Sequence, residues 1–198
     1  MLKIGMFCSG NGTHLLTVKA MIQDGLQLDP VFFFSNRPNS KSVSEARRLF
    51  PEIAVHTLDH SEYVFYKEDK KRHDRVKFDL HVRQMMDYYE LDLVLFLGYM
   101  RVVTPEFLDG APPIINLHPS LLPSFKGAHA VKQALEYGVE YTGATAHYVT
   151  ADLDGGPIIK QDVVKIYKGH DLSNLRMCIT NAERTILREA IYYHYMNS

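Results

Sequence analysis

The chain has 198 residues, of which 46% are hydrophobic and 23% charged, values that are ordinary for a folded globular protein of one domain. A formal net charge of −1 gives no electrostatic case for binding nucleic acid or an anionic membrane surface. Two cysteines are too few for a disulfide framework or a zinc cluster, and without a signal sequence or a membrane span we expect a cytoplasmic protein.

Short apolar runs alternate with helical patterns through the first 120 residues. Strands are predicted at 4–8, 30–35, 53–58, 91–97 and 113–117. Helices are predicted at 13–23, at 42–50 and around Phe78, Val82 and Met86, which recur at helical spacing. This alternation indicates an α/β fold with a doubly wound, mostly parallel sheet and right-handed crossovers. The polar stretch 66–77 is expected to be a solvated helix start or a mobile loop.

The pattern changes after about residue 140. Two strands, at 142–149 and 157–166, follow each other without a helix between them. This arrangement predicts an antiparallel hairpin or an edge addition, and therefore a mixed sheet. A closing helix is predicted by apolar residues at helical spacing, which are Leu172, Leu175, Ile179, Ala182 and Ile186.

A glycine-containing turn, residues 9–13 (Ser-Gly-Asn-Gly-Thr), follows the first strand directly. Glycines let backbone amides approach a ligand, and the next helix presents free N–H groups and the positive end of its dipole to an anion. Leu15 stands where the dinucleotide-binding pattern has its third glycine. The turn is therefore a tight connection or a phosphate site, and its place as the first turn of a doubly wound sheet favours the phosphate site.

Two polar side chains, Asn116 and His118, lie two residues apart at the end of the fifth predicted strand. They point to the same side of the sheet, at the strand end where open α/β sheets bind ligands. A lone histidine in a strand is usually structural, but an amide and an imidazole on one side of an apolar strand both need polar partners. We therefore favour a functional site here.

An acidic loop, residues 150–154, joins the two late strands and is followed by Gly155, Gly156 and Pro157. Aspartates in such turns commonly cap the backbone, an interpretation that suits Asp152 and stays open for Asp154. The acids and the scattered histidines lack a metal-ligand spacing, so we expect no metal.

Three separated signatures resemble the folate-dependent formyltransferases that act on glycinamide ribonucleotide in purine synthesis. They are the early Gly-Asn-Gly at 10–12, the Asn-x-His-Pro-Ser-Leu-Leu-Pro run at 116–123 and the Leu-Asp-Gly-Gly-Pro segment at 153–157. The resemblance covers about residues 3–187. It implies one formyltransferase-type Rossmann-like domain over 1–198, with a nucleotide-binding half to about 105 and a catalytic and folate-binding half from about 106.

The resemblance implies that three side chains are catalytic, namely Asn116, His118 and Asp154, with His147 in support. An amine that attacks a formyl carbonyl produces a tetrahedral oxyanion. The Asn116 amide and a protonated His118 can stabilise this oxyanion with hydrogen bonds. Asp154 can carry the proton from the attacking amine to the folate nitrogen, directly or through water.

The binding residues that the resemblance implies form two groups. The substrate phosphate would be held by Gly12, Thr13 and His14, and Glu183 would contact glycinamide ribonucleotide. The co-substrate, 10-formyltetrahydrofolate, would be bound by Met100, Arg101, Val102, Val103, Thr150 and Asp152. Alternatively, Met100 and Val102 complete the core and Arg101 is solvated. The expected partners are these small molecules, without metal, nucleic acid or membrane, for a monomer or homodimer.

Departures from the pattern keep alternatives open. His14 replaces the usual asparagine beside the phosphate, and the segments 143–149 and 161–164 look more like formyltetrahydrofolate deformylase, which uses water as the acceptor. Against that alternative, Pro119 follows His118 where deformylases have a second histidine, and no N-terminal regulatory domain is expected before a catalytic strand that begins at residue 3. A nucleotide-binding module that has lost catalysis is a third alternative.

Overall fold

The computed structural model describes residues 1–68 and 70–197, in two compact units, Met1–Ile114 and Ile115–Ser198. Its sheet is mixed and mostly parallel, with seven strands, and a two-stranded hairpin stands apart from it. The predicted α/β class with a mixed sheet is therefore confirmed. The organisation as one domain with two functional halves stays a prediction.

The first unit contains four parallel strands in the order β3-β2-β1-β6. Its elements are β1 (Leu2–Cys8), α1 (Thr13–Gln23), β2 (Leu28–Ser35), α2 (Lys41–Leu49), β3 (Ala54–Thr57), β4 (Val64–Lys67), β5 (Lys70–His73), α3 (Arg75–Asp87), β6 (Leu93–Phe96) and α4 (Pro105–Leu108). β1 is buried from Ile4 to Cys8, as expected for a central strand of a parallel sheet.

An aromatic cluster centred on Phe7 holds the core of the first unit. Five rings have their centroids 5.3–6.2 Å from that of Phe7, and they belong to Phe32, Phe34, Phe96, Tyr99 and Phe107. Such pairs contribute about 0.5–1.5 kcal/mol each beyond the area they bury. The cluster fixes the carboxyl ends of β1 and β6, from which the glycine turn and the 98–103 segment begin.

The polar stretch 66–77 differs from its prediction. β4 and β5 pair in antiparallel fashion, with Val64 opposite His73 and Lys67 opposite Lys70. The helix start lies only at Arg75, after Asp74, whose Oδ1 accepts a 3.0 Å hydrogen bond from the Lys77 amide. The hairpin could not be predicted from the sequence, because β5 is exposed on both faces and its residues do not alternate between apolar and polar. Asp69, within the same stretch, lies outside the described residues.

The second unit is antiparallel. Its elements are β7 (Ile114–His118), α5 (Ala130–Tyr137), β8 (Tyr141–Tyr148), β9 (Ile158–Lys165) and α6 (Leu172–Met196). β8 pairs with both β7 and β9, so the predicted antiparallel hairpin is confirmed. A capping box formed by Asp171 and Asn174 starts α6, which continues well past Ile186. Within residues 1–68 and 70–197, no helix is long and apolar enough to span a membrane.

Candidate active site

The strand register in the second unit places Asn116 opposite His147. β7 carries Asn116 and His118. On β8, His147 lies opposite Asn116, and Thr145 lies opposite His118. Cross-strand partners project from the same face of a sheet, so their side chains meet. Asn116 Nδ2 lies 3.2 Å from His147 Nε2.

The hydrogen bonds of His147 define its protonation. Its Nδ1 lies 2.9 Å from the carbonyl oxygen of Tyr148, which can only accept, so Nδ1 carries the proton. Burial lowers the pKa of His147, and the Tyr148 carbonyl and the Asp154 carboxylate oppose this only in part. The ring is therefore neutral at neutral pH, and Nε2 accepts a hydrogen bond from the Asn116 amide. This leaves the second N–H of Asn116 available to a ligand.

His118 and Asp154 form a close pair in the same unit. His118 is buried, and its Nε2 lies 2.8 Å from the carbonyl oxygen of Phe125, so Nε2 donates a hydrogen. Its Nδ1 lies 3.4 Å from Oδ2 of Asp154. The two atoms are therefore close enough for a proton to pass between them, directly or through one water molecule.

The Asp154 carboxylate is fixed between two imidazoles. Its backbone has a φ of 46°, in the left-handed region that aspartate tolerates better than most residues. Oδ2 accepts a 2.7 Å hydrogen bond from the Gly127 amide, and Oδ1 lies 3.8 Å from His147 Nε2. Because His147 is neutral, the second contact is not an ion pair. Like an aspartate that caps a turn, Asp154 accepts a hydrogen bond from a backbone N–H. The donor, however, lies in a different loop and not in the turn that contains Asp154.

A close backbone contact holds the loop that carries Asp154. A Cβ atom on Gly156 would lie 1.9 Å from the carbonyl oxygen of Tyr148, so only glycine fits there. The Tyr148 amide also donates a 2.9 Å hydrogen bond to the Pro157 carbonyl. The carbonyl that fixes the tautomer of His147 is therefore positioned by Gly156.

Thr145 and Gln161, which were not among the predicted site residues, hold the loop after β7. The Thr145 hydroxyl donates to the Ser120 carbonyl at 2.7 Å and accepts from the Leu122 amide at 3.1 Å. Gln161 donates to the Leu122 carbonyl at 2.9 Å and to the Thr145 hydroxyl at 3.0 Å. These bonds connect the loop that leads to Phe125, the acceptor for His118, with β8 and β9. Neither residue could be identified from the sequence, because the bonds join segments that only the fold brings together.

The predicted phosphate turn lies in the first unit. Gly12 is the N-cap of α1 with a φ of 71°, and a Cβ there would lie 3.0 Å from Ser42 Cα. Thr13 begins the helix and is exposed, whereas His14 is buried. The first N–H groups of a helix have no acceptor within it, so this turn can bind an anion.

The predicted folate segment, 100–103, also lies in the first unit. Met100 and Val102 are 76% and 47% exposed, so the alternative that they complete the core is wrong. Arg101 is not fully solvated either, because its guanidinium carbon lies 4.3 Å from the ring centroid of Phe78. Val103 is buried. The segment therefore exposes the apolar side chains of Met100 and Val102, whereas Arg101 and Val103 contact the protein.

The remaining predicted residues lie in the second unit. Thr150 and Asp152 are exposed, and the Asp152 carbonyl accepts a 3.0 Å hydrogen bond from the Gly155 amide, which closes the turn. Glu183 lies on α6 and is buried. Among the described residues, no group of three or more His, Cys, Asp or Glu side chains is arranged to hold a metal ion.

Solved and curated proteins resemble the chain over nearly its whole length. Glycinamide ribonucleotide transformylase 1 from Symbiobacterium toebii has a TM-score of 0.87 at 36% identity, over 96% of this chain and 86% of that one. Phosphoribosylglycinamide formyltransferase from Escherichia coli (strain K12) is 32% identical over 187 residues, which are 93% of this chain and 83% of that protein.

A second group of relatives is matched in part. Formyltetrahydrofolate deformylase from Bacillus subtilis (strain 168) is 35% identical over 156 residues, which are 74% of this chain and 52% of the relative. The match spans about half the length of this deformylase and of a second one, from Synechocystis sp. (strain ATCC 27184 / PCC 6803 / Kazusa). The sequence profile of the formyl transferase family matches residues 2–191. The chain therefore belongs to the formyl transferase family.

Proposed function

We propose that this protein transfers the formyl group of 10-formyltetrahydrofolate to the amine of glycinamide ribonucleotide, a step of purine biosynthesis. The observation that carries the proposal is the continuous array of Asn116, His147, Asp154 and His118, with contacts of 3.2–3.8 Å. The similarity to phosphoribosylglycinamide formyltransferases over more than nine-tenths of the chain supports the choice of acceptor.

The array suits each step of formyl transfer. The amine attacks the formyl carbon, the new C–N bond forms and the carbonyl electrons move to oxygen. The free N–H of Asn116 donates to that oxyanion, and the charge of protonated His118 adds to its stabilisation. Asp154 accepts the proton that the amine loses. The bond between the formyl carbon and the folate nitrogen then breaks, and the proton passes to that nitrogen.

The substrate contacts are part of the same proposal. Gly12, Thr13 and His14 hold the phosphate, and the free amides at the start of α1 support this role. Glu183 contacts glycinamide ribonucleotide. The folate is bound by the 100–103 segment, with Thr150 and Asp152, and the exposure of Met100 and Val102 supports an apolar slot for a flat pterin.

Deformylation is the second candidate. The 35% identity to a formyltetrahydrofolate deformylase favours it, and the array around Asp154 could activate water as well as an amine. The experiment that separates the two follows tetrahydrofolate release from 10-formyltetrahydrofolate with and without glycinamide ribonucleotide. Release that depends on glycinamide ribonucleotide supports transfer, and release without it supports hydrolysis. No release under either condition would contradict both functions.

A further inference from the structure

Ser9, the first residue of the glycine turn (residues 9–13), is buried and takes no part in the proposed catalysis. It directly follows β1 and is only 1% exposed. A buried polar side chain requires hydrogen-bond partners. The partners of Ser9 belong to two other loops at the carboxyl ends of the parallel strands, so their identity shows what this residue connects.

The Ser9 hydroxyl donates one hydrogen bond and accepts another. Oγ lies 2.6 Å from Oδ1 of Asn36, which can only accept, so the hydroxyl hydrogen points toward Asn36. The amide of Met100 donates to the same Oγ at 2.8 Å. Asn36 is 3% exposed and follows β2, whereas Met100 follows β6. The hydroxyl therefore joins the loops after β1, β2 and β6 at one buried point.

The backbone of Ser9 adds a second bond to the 98–103 segment. The Ser9 amide donates to the Gly98 carbonyl at 3.1 Å, so Ser9 is bonded to the segment on both sides of Tyr99. The side chain of Met100 is 76% exposed, although its amide is bonded to a buried hydroxyl. The position of this exposed apolar side chain therefore depends on Ser9.

Two further hydrogen bonds hold the other end of the segment, but their side chains come from α3. Arg75 donates through Nη2 to the Val102 carbonyl at 2.7 Å, and Oδ2 of Asp79 accepts from the Thr104 amide at 2.8 Å. Ser9, in contrast, lies in the turn that is proposed to bind the acceptor phosphate. Of these three residues, Ser9 is the one that joins the segment to the glycine turn.

We propose that Ser9 is a positioning residue that couples binding of the acceptor phosphate to binding of the folate. This inference rests on the proposed function. A phosphate held by the amides of Gly12 and Thr13 would fix the glycine turn, and Ser9 would then hold Met100 in place before the folate arrives. The folate would have less backbone to order when it binds, so each ligand would strengthen the binding of the other.

The competing interpretation is that Ser9 only stabilises the fold. Removal of its hydroxyl would then lower Tm, because the Met100 amide and the Asn36 side chain would each lose a buried partner. The two ligands would nevertheless bind independently of each other in every variant. A measurement of coupling between the ligands therefore separates the two interpretations, whereas Tm alone does not.

The test measures the dissociation constant of tetrahydrofolate by calorimetry, with and without saturating inorganic phosphate. The wild-type protein should bind tetrahydrofolate roughly fivefold more tightly with phosphate, a modest coupling between two sites. Ser9→Ala should reduce this factor to about one. The control, Ser44→Ala, removes an exposed hydroxyl that donates to the Lys41 carbonyl on α2, and it should keep the wild-type factor.

Two further measurements examine the coupling itself. The affinity for phosphate must change by the same factor when tetrahydrofolate is added, because coupling between two binding sites is reciprocal. Hydrogen exchange reports on Met100 directly, since its amide is bonded to Ser9 Oγ. Phosphate should slow exchange of the Met100 amide in the wild-type protein and in the Ser44→Ala control, and should not slow it in Ser9→Ala.

Steady-state kinetics should show the same separation. Ser9→Ala should raise KM for 10-formyltetrahydrofolate roughly tenfold, the scale for one lost buried hydrogen bond, with less than a threefold change in kcat. If Ser9→Ala folds poorly, Ser9→Cys keeps the size of the side chain and replaces the hydroxyl with a weak donor and acceptor. This second variant should lower the coupling factor to roughly twofold or less.

The outcomes separate this inference from the proposed function. A coupling factor that persists in both Ser9 variants overturns the proposal, even if Tm falls. A wild-type protein that binds tetrahydrofolate equally well with and without phosphate also overturns it, and formyl transfer is left intact as long as turnover is observed. An absence of turnover in the wild-type protein contradicts the proposed function itself.

Discussion

The amide of Asn116 and the imidazole of His147 lie opposite each other on β7 and β8, with 3.2 Å between Nδ2 and Nε2. The Tyr148 carbonyl fixes the proton of His147 on Nδ1, so the ring accepts a hydrogen bond from the amide. The amide nitrogen of Asn116 is thereby oriented before any substrate binds. An oriented donor is stabilising at the moment when negative charge develops, because it needs no reorganisation.

The first prediction concerns the donor itself. Asn116→Asp keeps the size of the side chain but removes both N–H groups and adds a negative charge at neutral pH. We expect kcat for formyl transfer to fall by roughly 10²–10³-fold, the scale for losing one oxyanion donor. Steady-state assays give kcat, and folate-analogue calorimetry should show binding nearly unchanged. A kcat within threefold of the wild-type value would contradict the role of Asn116.

The second prediction tests the acceptor. His147→Phe removes Nε2, so the Asn116 amide loses its partner and its orientation. We expect kcat to fall by roughly 10–100-fold with less than a threefold change in KM, since the missing bond positions a donor that acts in the transition state. His147→Gln, which keeps a polar side chain able to accept from the amide, should restore part of kcat. Equal kcat values for the His147→Phe and His147→Gln variants would show that kcat does not depend on a hydrogen-bond acceptor for the Asn116 amide.

The third prediction is a dependence of stability on pH. Burial lowers the pKa of His147 in the folded protein, whereas the unfolded chain titrates near the ordinary value of about 6.5. Below that value the unfolded state binds more protons than the folded state. The free energy of unfolding should therefore be highest above pH 6.5 and should decrease as the pH falls toward the lowered value.

The pH effect can be assigned by mutation. The pKa of His56 is also lowered by burial, so His147→Gln should flatten the decrease in urea midpoint between pH 7 and 5 without abolishing it. The double variant His56→Gln/His147→Gln should flatten it further. A slope in the double variant as steep as that of the wild-type protein would exclude both histidines as its source.

The fourth prediction concerns the backbone contact at Gly156. Gly156→Ala places a Cβ 1.9 Å from the Tyr148 carbonyl oxygen, so the backbone must move. We expect a destabilisation of about 1–3 kcal/mol, which lowers Tm by about 3–10 °C, together with a lower kcat because the same carbonyl holds His147. Gly10→Ala is the control for stability, because a Cβ there has no neighbour within 4 Å. Equal Tm values for the two variants would contradict the contact.

The fifth prediction separates phosphate binding from helix stability. Thr13→Val keeps the shape of the exposed side chain but removes the hydroxyl that would donate to the phosphate. The KM for glycinamide ribonucleotide should rise roughly tenfold, as for a hydrogen bond to a charged group, with Tm nearly unchanged. Thr17→Val, one turn further along α1, makes the same chemical change away from the turn and should leave KM unchanged. Equal KM values for the Thr13→Val and Thr17→Val variants would indicate that the phosphate does not bind at Thr13.

Most strands of the seven-stranded sheet could be predicted because each is a continuous run of apolar residues. Strands such as Leu93–Phe96 are buried at every position, and that burial is visible as an unbroken apolar run. The hairpin Val64–His73 is not visible in this way, because its charged strands are held by pairing rather than by a buried face. α5 was also missed, since it is short and begins after His129, which has a φ of 65° and no capping side-chain bond.

From the residues alone, without the family resemblance, the candidate site was predictable only where neighbours in sequence are neighbours in space. The spacing of Asn116 and His118 along one strand placed them together. The pairing of Asn116 with His147 depends on the antiparallel register of β7 and β8, which are separated in sequence by a connection that includes α5. The role of Gly156 depends on a carbonyl eight residues earlier, at Tyr148, which only the fold brings close.

The Thr145 hydroxyl has a consequence for hydrogen exchange. It accepts from the Leu122 amide and donates to the Ser120 carbonyl, so a loop that follows β7 is bonded into the interior of β8. The amide hydrogen of Leu122 can exchange with solvent only when this bond opens. Its protection should therefore follow the slow opening of the sheet rather than the fast fluctuations of surface loops. We therefore expect this loop to open together with β8 rather than on its own.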